Sequence, residues 1–403
     1  MGLLLCQIKK VMMQQIAQKQ LDRLNRLLDV SASADDTLLR GRLGMIFYYY
    51  HLYKVTEIPA LKHRTKAMLE QVFDNINAAR PSLVGAALGT GGAGFGYIVN
   101  FMCREAFLEL EVDNEFEELD KYLFNAASGL IEADNIDLLH GALGVIHYFS
   151  EREHTASGSN DYLDALIEKI CRKAVEEDGG YWYRNHLLKI DGKQMINFSL
   201  SHGLSGVLLV LLNAYERSSH KELIEKVVKG GIRFMLKHKI DVDFSRHEYS
   251  FFPLVIARNA NEIYAANRMA WESGDLNEVL LFYRAARLFN DEALKRQADL
   301  IGMQSMMRRD EQSTHVDTAG FCTGAAGLAQ YCKTLYRETG LDVYQEGYLY
   351  WIERTILLLE EELEKGRYTG KEQELLDGSL GIAFVLLSYI SNTDLHWSTV
   401  LLL

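Results

Sequence analysis

Seven copies of one short unit recur along this chain, and they limit its possible folds more than any other feature. Each copy is a polar residue, then Gly-x-x-Gly, then about two helical turns of apolar residues. The fourth copy, Ser-His-Gly-Leu-Ser-Gly at 201–206 followed by an apolar run, is the clearest. The first glycines are residues 41, 91, 141, 203, 274, 324 and 378, so the intervals are 50, 50, 62, 71, 50 and 54 residues. Such self-similarity is typical of repeat architectures.

Each interval is long enough for two helices of ordinary length, and strand signals are sparse. Residues 122–131, 162–175 and 223–236 carry the 3.6-residue apolar period of helices. The helix after each Gly-x-x-Gly is apolar nearly all round, which predicts burial on both sides. The helix before it is amphipathic, with charged faces such as the acidic run at 360–364.

An inner ring of buried helices inside an outer ring of amphipathic ones is an α/α toroid, which leaves no exposed end to cap. The sequence therefore predicts an all-α fold, a seven-unit α/α toroid of about 14 helices. We expect an N-terminal helical segment at 1–36 and a single toroid domain at 37–403. The fifth copy is degraded, since it reads Ser273-Gly274-Asp275-Leu276-Asn277.

The glycines have a mechanical explanation. A helix entered by a tight turn needs a residue that tolerates positive φ, and paired glycines also let neighbouring backbones approach closely. For most of the seven copies, packing alone accounts for the motif.

Composition excludes several classes of protein. The chain has 43 basic and 55 acidic residues, a net charge of −12, which argues against nucleic acid as the main partner. Its five cysteines include no Cys-x-x-Cys pair, so we expect a reducing, cytoplasmic location. No run of 18 apolar residues is present, so we expect no membrane span.

The residue before each first glycine is polar, although an apolar helix follows. These residues are Arg40, Thr90, His140, His202, Ser273, Thr323 and Asp377. If the seven inner helices begin at one end of the ring, their N-termini would favour an anion or a thiolate there.

Five motifs, in this order along the chain, carry a resemblance to a known family. They read Asp-Leu-Leu-His-Gly-Ala-Leu-Gly at 137–144, Ser-His-Gly-Leu-Ser-Gly at 201–206, Arg-Met-Ala-Trp-Glu-Ser-Gly-Asp at 268–275, Cys-Thr-Gly-Ala-Ala-Gly-Leu at 322–328 and Leu-Leu-Asp-Gly-Ser-Leu-Gly at 375–381. From about residue 38 to 402 the chain resembles the lanthionine synthetase C-like family, the cyclases of lanthipeptide biosynthesis.

This resemblance implies addition of peptide cysteine thiols to dehydroalanine or dehydrobutyrine, which closes thioether rings. It implies a dehydrated precursor peptide as substrate and, since no fused dehydratase is expected, a separate dehydratase as partner. It places the catalytic histidine on His202, the assisting aspartate on Asp137 and the arginine on Arg268.

The resemblance also implies a zinc ion held by Cys-Cys-His, which would lower the pKa of the substrate thiol. Those three positions fall on Glu272, Cys322 and Thr323, so two of the ligands are changed. Open catalytic zinc sites use three protein ligands, so we expect a weak or absent site in which Cys322 and Glu272 are the candidate ligands. His247 and His315 are other candidates, but nothing in their spacing favours either.

Two alternatives remain. The changed ligands also suit a non-catalytic homologue that binds the peptide or the dehydratase as a scaffold. A carbohydrate-active α/α toroid would need two carboxylates at an open cleft, and Asp137, Glu272 and Asp377 are the candidates.

Overall fold

A computed structural model describes residues 2–31, 33, 35–78, 83–110, 112–152, 159–184, 189–190, 193–257, 263–264 and 267–403. The chain divides into two compact units, one comprising Met1–Ser82, Val316–Leu401 and Leu403, the other Leu83–His315 with Leu402. None of the helices in the described ranges combines the length and hydropathy that a membrane crossing requires.

The first unit is helical. Its helices are α1 (Gly2–Val30), α2 (Arg42–Thr56), α3 (Pro59–Asn77), α14 (Ala325–Thr339), α15 (Asp342–Glu364) and α16 (Ser379–Ser391), with a final 3-10 turn at Trp397–Leu401. Helices α2, α14 and α16 follow the first, sixth and seventh Gly-x-x-Gly motifs, and α16 packs on both of the others. The amphipathic partners pair as α2 with α3, α14 with α15, and α16 with α1.

The second unit holds the other four repeats. Its helices are α4 (Gly92–Arg104), α5 (Val112–Glu115), α6 (Glu117–Glu132), α7 (Ala142–Glu151), α8 (Ser159–Arg172), α9 (Leu204–Ala214), α10 (Lys221–Lys237), α11 (Leu276–Phe289), α12 (Glu292–Met307) and α13 (Glu311–Thr314). The helices that follow the motifs pack in sequence order, α4 on α7, α7 on α9 and α9 on α11. In α9 nearly every residue is buried, which confirms the prediction of inner helices covered on all sides.

Short strands interrupt this unit. A hairpin pairs β1 (Val175–Glu177) with β2 (Gly180–Trp182), and an antiparallel sheet has the order β3 (Lys189–Ile190), β4 (Lys193–Asn197), β5 (Val255–Ala257), β6 (Ile263–Tyr264). The expectation of helix hairpins throughout is therefore incomplete for residues 175–264. Strands of two to five residues leave almost no period-2 signal in a sequence.

Each of the seven sequence repeats begins with a loop. We call the seven residues that end at the first glycine of a repeat its entry loop. The third, fourth and fifth entry loops are thus residues 135–141, 197–203 and 268–274. In the first, second, third and sixth repeats, the N–H of the residue after that glycine donates to the carbonyl of the first residue of the entry loop at 2.9–3.0 Å. Each of these loops therefore folds back on the start of its own helix.

Two reasons were predicted for the glycines, a positive φ and a close approach of backbones, and the structure agrees with the second. Six of the seven first glycines are extended, with φ between −110° and −138°, so the prediction that they supply a positive φ is wrong. Only Gly274, in the degraded fifth copy, has φ of +109°. Close approach is the cause: a Cβ on Gly203 would lie 2.5 Å from the Asn197 carbonyl oxygen, six residues earlier.

Candidate functional site

His202 is the residue before the final glycine of the fourth entry loop. Strand β4 leads into this loop, and the register Asn197 opposite Val255 in β5 fixes where the loop begins. The Asn197 side-chain oxygen then accepts from Ser199 N–H at 2.7 Å, and the Ser199 hydroxyl accepts from His202 N–H at 3.2 Å. The sheet and two side-chain hydrogen bonds therefore hold the backbone of His202 at the start of α9.

Asp137, in the third entry loop, is the partner of His202. Its carboxylate is 1% exposed, and one oxygen accepts the N–H groups of Leu139 at 2.8 Å and His140 at 2.7 Å. The other oxygen is hydrogen-bonded to Nδ1 of His202, whose side chain is 37% exposed. A buried, anchored carboxylate thus orients a histidine that reaches the surface of the second unit.

The surroundings of His202 favour its charged form. The hydrogen bond that Asp137 accepts raises the pKa of His202 above the usual 6.5, and the negative charges of Asp137 and Glu272 add to this, while partial burial opposes it. The imidazole therefore holds a proton at higher pH than an ordinary histidine does.

Backbone hydrogen bonds connect the three loops. Leu138 N–H donates to the Ser201 carbonyl at 3.2 Å, and the N–H groups of Leu200 and Ser201 donate to the Glu272 carbonyl at 3.0 and 3.3 Å. Both acceptors, Ser201 and Glu272, lie two positions before the first glycine of their repeat. The third, fourth and fifth entry loops thus form one hydrogen-bonded series that carries Asp137, His202 and Glu272.

Known proteins resemble this chain in sequence pattern and in fold. The lanthionine synthetase C-like protein family matches residues 32–402. The chain belongs to this family. A solved structure titled nisin cyclase superposes with a TM-score of 0.77 at 16% sequence identity, covering 96% of each chain, which shows a shared fold. No curated protein matches the chain in sequence.

The fold class predicted from the sequence, the all-α α/α toroid of the lanthionine synthetase C-like family, is confirmed by this likeness. Family membership also speaks against the carbohydrate-active alternative. The cyclase-like role of the family implies a peptide substrate.

The structure brings together three of the five predicted site residues. Asp137 and His202 are hydrogen-bonded, and Glu272 acts on His202 through its charge. Arg268 opens the fifth entry loop, four residues before Glu272, and is half-buried. Cys322 lies in the sixth entry loop in the first unit, half-buried, with its N–H donating to the Leu376 carbonyl at 3.0 Å.

The donors present fit a zinc ion poorly. Within the part of the chain that the structure describes, no three His, Cys, Asp or Glu side chains are grouped so that they could hold a metal. Thr323, which the resemblance assigns to the family's zinc histidine, offers only a neutral hydroxyl. Of the two other candidates, His247 is engaged through Nδ1 with the Tyr249 hydroxyl at 2.9 Å.

Sequence reasoning missed the residues that hold the loops together. Ser199 and Asn197 fix the backbone of His202, and Asn277 joins the fourth and fifth entry loops through its side chain. The available signal was the degraded fifth motif, because three polar residues stand there in a first turn that is mainly apolar or glycine in the other copies.

Proposed function

We propose that this protein closes thioether rings in a dehydrated precursor peptide, and that His202 and Asp137 carry out the proton transfers without a zinc ion. The observation that carries the proposal is the hydrogen bond between His202 Nδ1 and the buried, doubly anchored carboxylate of Asp137. The resemblance assigns the family's catalytic histidine and aspartate to these two residues, which supports the proposal.

The reaction adds S–H across a carbon–carbon double bond. With Nδ1 bonded to Asp137, Nε2 of neutral His202 takes the thiol proton while the sulfur attacks Cβ of dehydroalanine or dehydrobutyrine. The π electrons move onto Cα and its carbonyl as an enolate. The imidazolium, stabilised by Asp137, then returns the proton to Cα, so that atoms and charge balance and the histidine is regenerated.

Arg268 has a supporting role in this proposal. A guanidinium near the enolate would stabilise the charge that develops on the peptide carbonyl oxygen. Because no metal activates the thiol, its pKa of about 8.5 leaves only a few per cent as thiolate at neutral pH, and proton removal by His202 must supply the rest.

Ring closure leaves the peptide mass unchanged, so free thiols are the measurable quantity. Dehydrated precursor peptide is incubated with the protein, samples are alkylated with iodoacetamide, and the loss of alkylated product is followed by mass spectrometry. We expect closure at least about 100-fold faster than in buffer alone, because acid–base catalysis by a positioned side chain contributes about 100-fold or more. A rate equal to that of the uncatalysed addition would overturn the proposal.

The poor fit of Glu272 and Thr323 to zinc favours a second candidate, a non-catalytic homologue that binds the precursor peptide or its dehydratase. The two candidates separate in the same experiment. A scaffold would bind the labelled precursor in a pull-down or by fluorescence anisotropy while leaving the rate of ring closure at the buffer value.

A further inference from the structure

The first turn of α11 departs from the other six repeats. Three residues after the first glycine, every other copy has a second glycine, whereas the fifth has Asn277. Asp275 lies two residues before Asn277 and Glu278 follows it, and all three side chains are buried. Three buried polar groups in a first turn are costly unless each finds a hydrogen-bond partner.

Asn277 bonds to two loops at once. Its side chain is fully buried, and its amide nitrogen donates to the Trp271 carbonyl at 3.1 Å. Its oxygen accepts from Leu200 N–H at 3.1 Å, which that N–H shares with the Glu272 carbonyl at 3.0 Å. Leu200 lies two residues before His202, and Trp271 lies one residue before Glu272. One side chain therefore connects the backbone of the fourth entry loop to that of the fifth.

Glu278 adds a second link between the same repeats. One carboxyl oxygen accepts from the Ser205 hydroxyl of α9 at 2.9 Å, and Glu278 is 2% exposed. Burial, helped by the charge of Asp275, raises the pKa of Glu278 well above its usual value, so the group is protonated at higher pH than an ordinary glutamate. The start of α11 is thus bonded by side chains to both the entry loop and the helix that flank His202.

We propose that Asn277 is a positioning residue that fixes the fifth entry loop, with Glu272 and Arg268, against the fourth entry loop, with His202. In the first, third, fourth and seventh repeats, a Cβ at this position would collide with a carbonyl oxygen of the repeat's own entry loop, so glycine lets the helix contact that loop directly. In the fifth repeat the amide replaces that contact and reaches across to the neighbouring loop. The proposal rests on the proposed function only for its effect on rate, since the link itself is a structural property.

Hydrogen–deuterium exchange of the full chain tests the link without reference to activity. In Asn277→Gly, which restores the residue of the other six copies, we expect the segments 198–203 and 268–276 to exchange about five- to tenfold faster, the factor for one lost hydrogen bond. The rest of the second unit should be unaffected. Asn100→Ala is the matched control, because Asn100 is also buried and donates to the Glu151 carbonyl at 3.0 Å, away from these loops.

A conservative variant separates positioning from loss of folding. Asn277→Asp keeps an oxygen for Leu200 N–H and, when protonated, can also donate to the Trp271 carbonyl. For each pH we compare the ring-closure rate of folded Asn277→Asp with that of the wild type, as the ratio of the two. We expect this ratio to approach one at low pH. The ratio should fall as the carboxyl ionises. Asn277→Gly should lose about 10- to 100-fold in kcat at every pH.

Faster exchange confined to the two segments, with pH-dependent rescue by Asn277→Asp, supports the proposal. Unchanged exchange there in Asn277→Gly, or the same exchange pattern in Asn100→Ala, would overturn it. If the wild type closes no rings while the local exchange change is present, the proposed function fails and the link between the loops stands.

Discussion

At the residue scale, the backbone of the third entry loop decides where Asp137 points. Because one carboxylate oxygen accepts two N–H groups of its own loop, the other is directed at His202. This geometry could not be read from the sequence, in which the two residues are 65 positions apart. The family resemblance predicted the pair, and the loop geometry explains why an aspartate serves there.

The raised pKa of His202 leads to a prediction about pH. If neutral His202 takes the thiol proton, kcat/KM should rise with pH through the raised pKa. Asp137→Asn removes the main cause of that shift, so the rising limb should move to lower pH while the maximum rate falls about 100-fold. Profiles of kcat/KM for both proteins check this, and an unmoved limb would show that Asp137 does not control the protonation of His202.

At the scale of elements, the entry loops are the common part of the repeat. The sequence predicted where the loops and helices lie, because the glycine motif and the 3.6-residue period are strong signals. It left two reasons for glycine open, because a positive φ and a missing Cβ select the same residue. Only coordinates separate the two, and they show extended backbones against the preceding carbonyl groups.

This explanation predicts the effect of alanine at the fourth entry loop. In Gly203→Ala the new Cβ would lie 2.5 Å from the Asn197 carbonyl, so the unfolding free energy should fall by about 2 kcal/mol or more, as in overpacked cores. Gly129→Ala in α6 is the control, since no atom lies within 4 Å of its Cβ position. That change should stabilise the protein by about 0.5–1 kcal/mol. Urea denaturation measures both, and equal effects would contradict the close-approach account.

The start of α11 shows how a repeat can mislead sequence reasoning. When the fifth repeat is compared only with the other six, Asn277 is interpreted as a glycine that has been replaced, and the repeat as degraded. In the structure the same residue makes hydrogen bonds that no glycine can make. The strands β4 and β5 were missed for another reason, because their role depends on pairing between segments about 60 residues apart.

At the scale of the whole molecule, a buried ion pair affects stability. Asp275 accepts the N–H groups of Phe251 and Phe252 at 2.9 and 3.1 Å and faces the Arg308 guanidinium at 3.3 Å. Burial raises the pKa of Asp275 to about 6, although the charge of Arg308 opposes this. The folded protein therefore binds a proton at Asp275 at pH values where the unfolded chain has released it.

The sign of the resulting pH dependence follows. Between pH of about 4 and 6, the contribution of Asp275 to the unfolding free energy should decrease as pH rises, by on the order of 1–3 kcal/mol. Asp275→Asn should flatten the curve of unfolding free energy against pH in that window. Urea titrations at a series of pH values measure the slope, and parallel curves for the two proteins would contradict the assignment.

Family and fold were predictable for the molecule as a whole, because seven motifs in order involve most of the chain. The chemistry was predictable only in part. The resemblance predicted roles for His202, Asp137 and Arg268. Glu272 and Thr323 differ from the zinc ligands that it implies, so the resemblance predicts no role for them. The hydrogen bonds and charges around these two positions depend on distances between residues, which a sequence does not contain.

The central claim is catalysis of thiol addition by His202 without zinc, and one comparison tests it most directly. Wild type, His202→Ala and Cys322→Ala are dialysed against a chelator, and ring closure in the dehydrated precursor is timed by thiol alkylation in metal-free buffer. We predict that the wild type and Cys322→Ala close rings at the same rate with or without chelator, while His202→Ala is at least about 100-fold slower. A wild-type rate that vanishes on chelation and returns with one equivalent of zinc would contradict the claim.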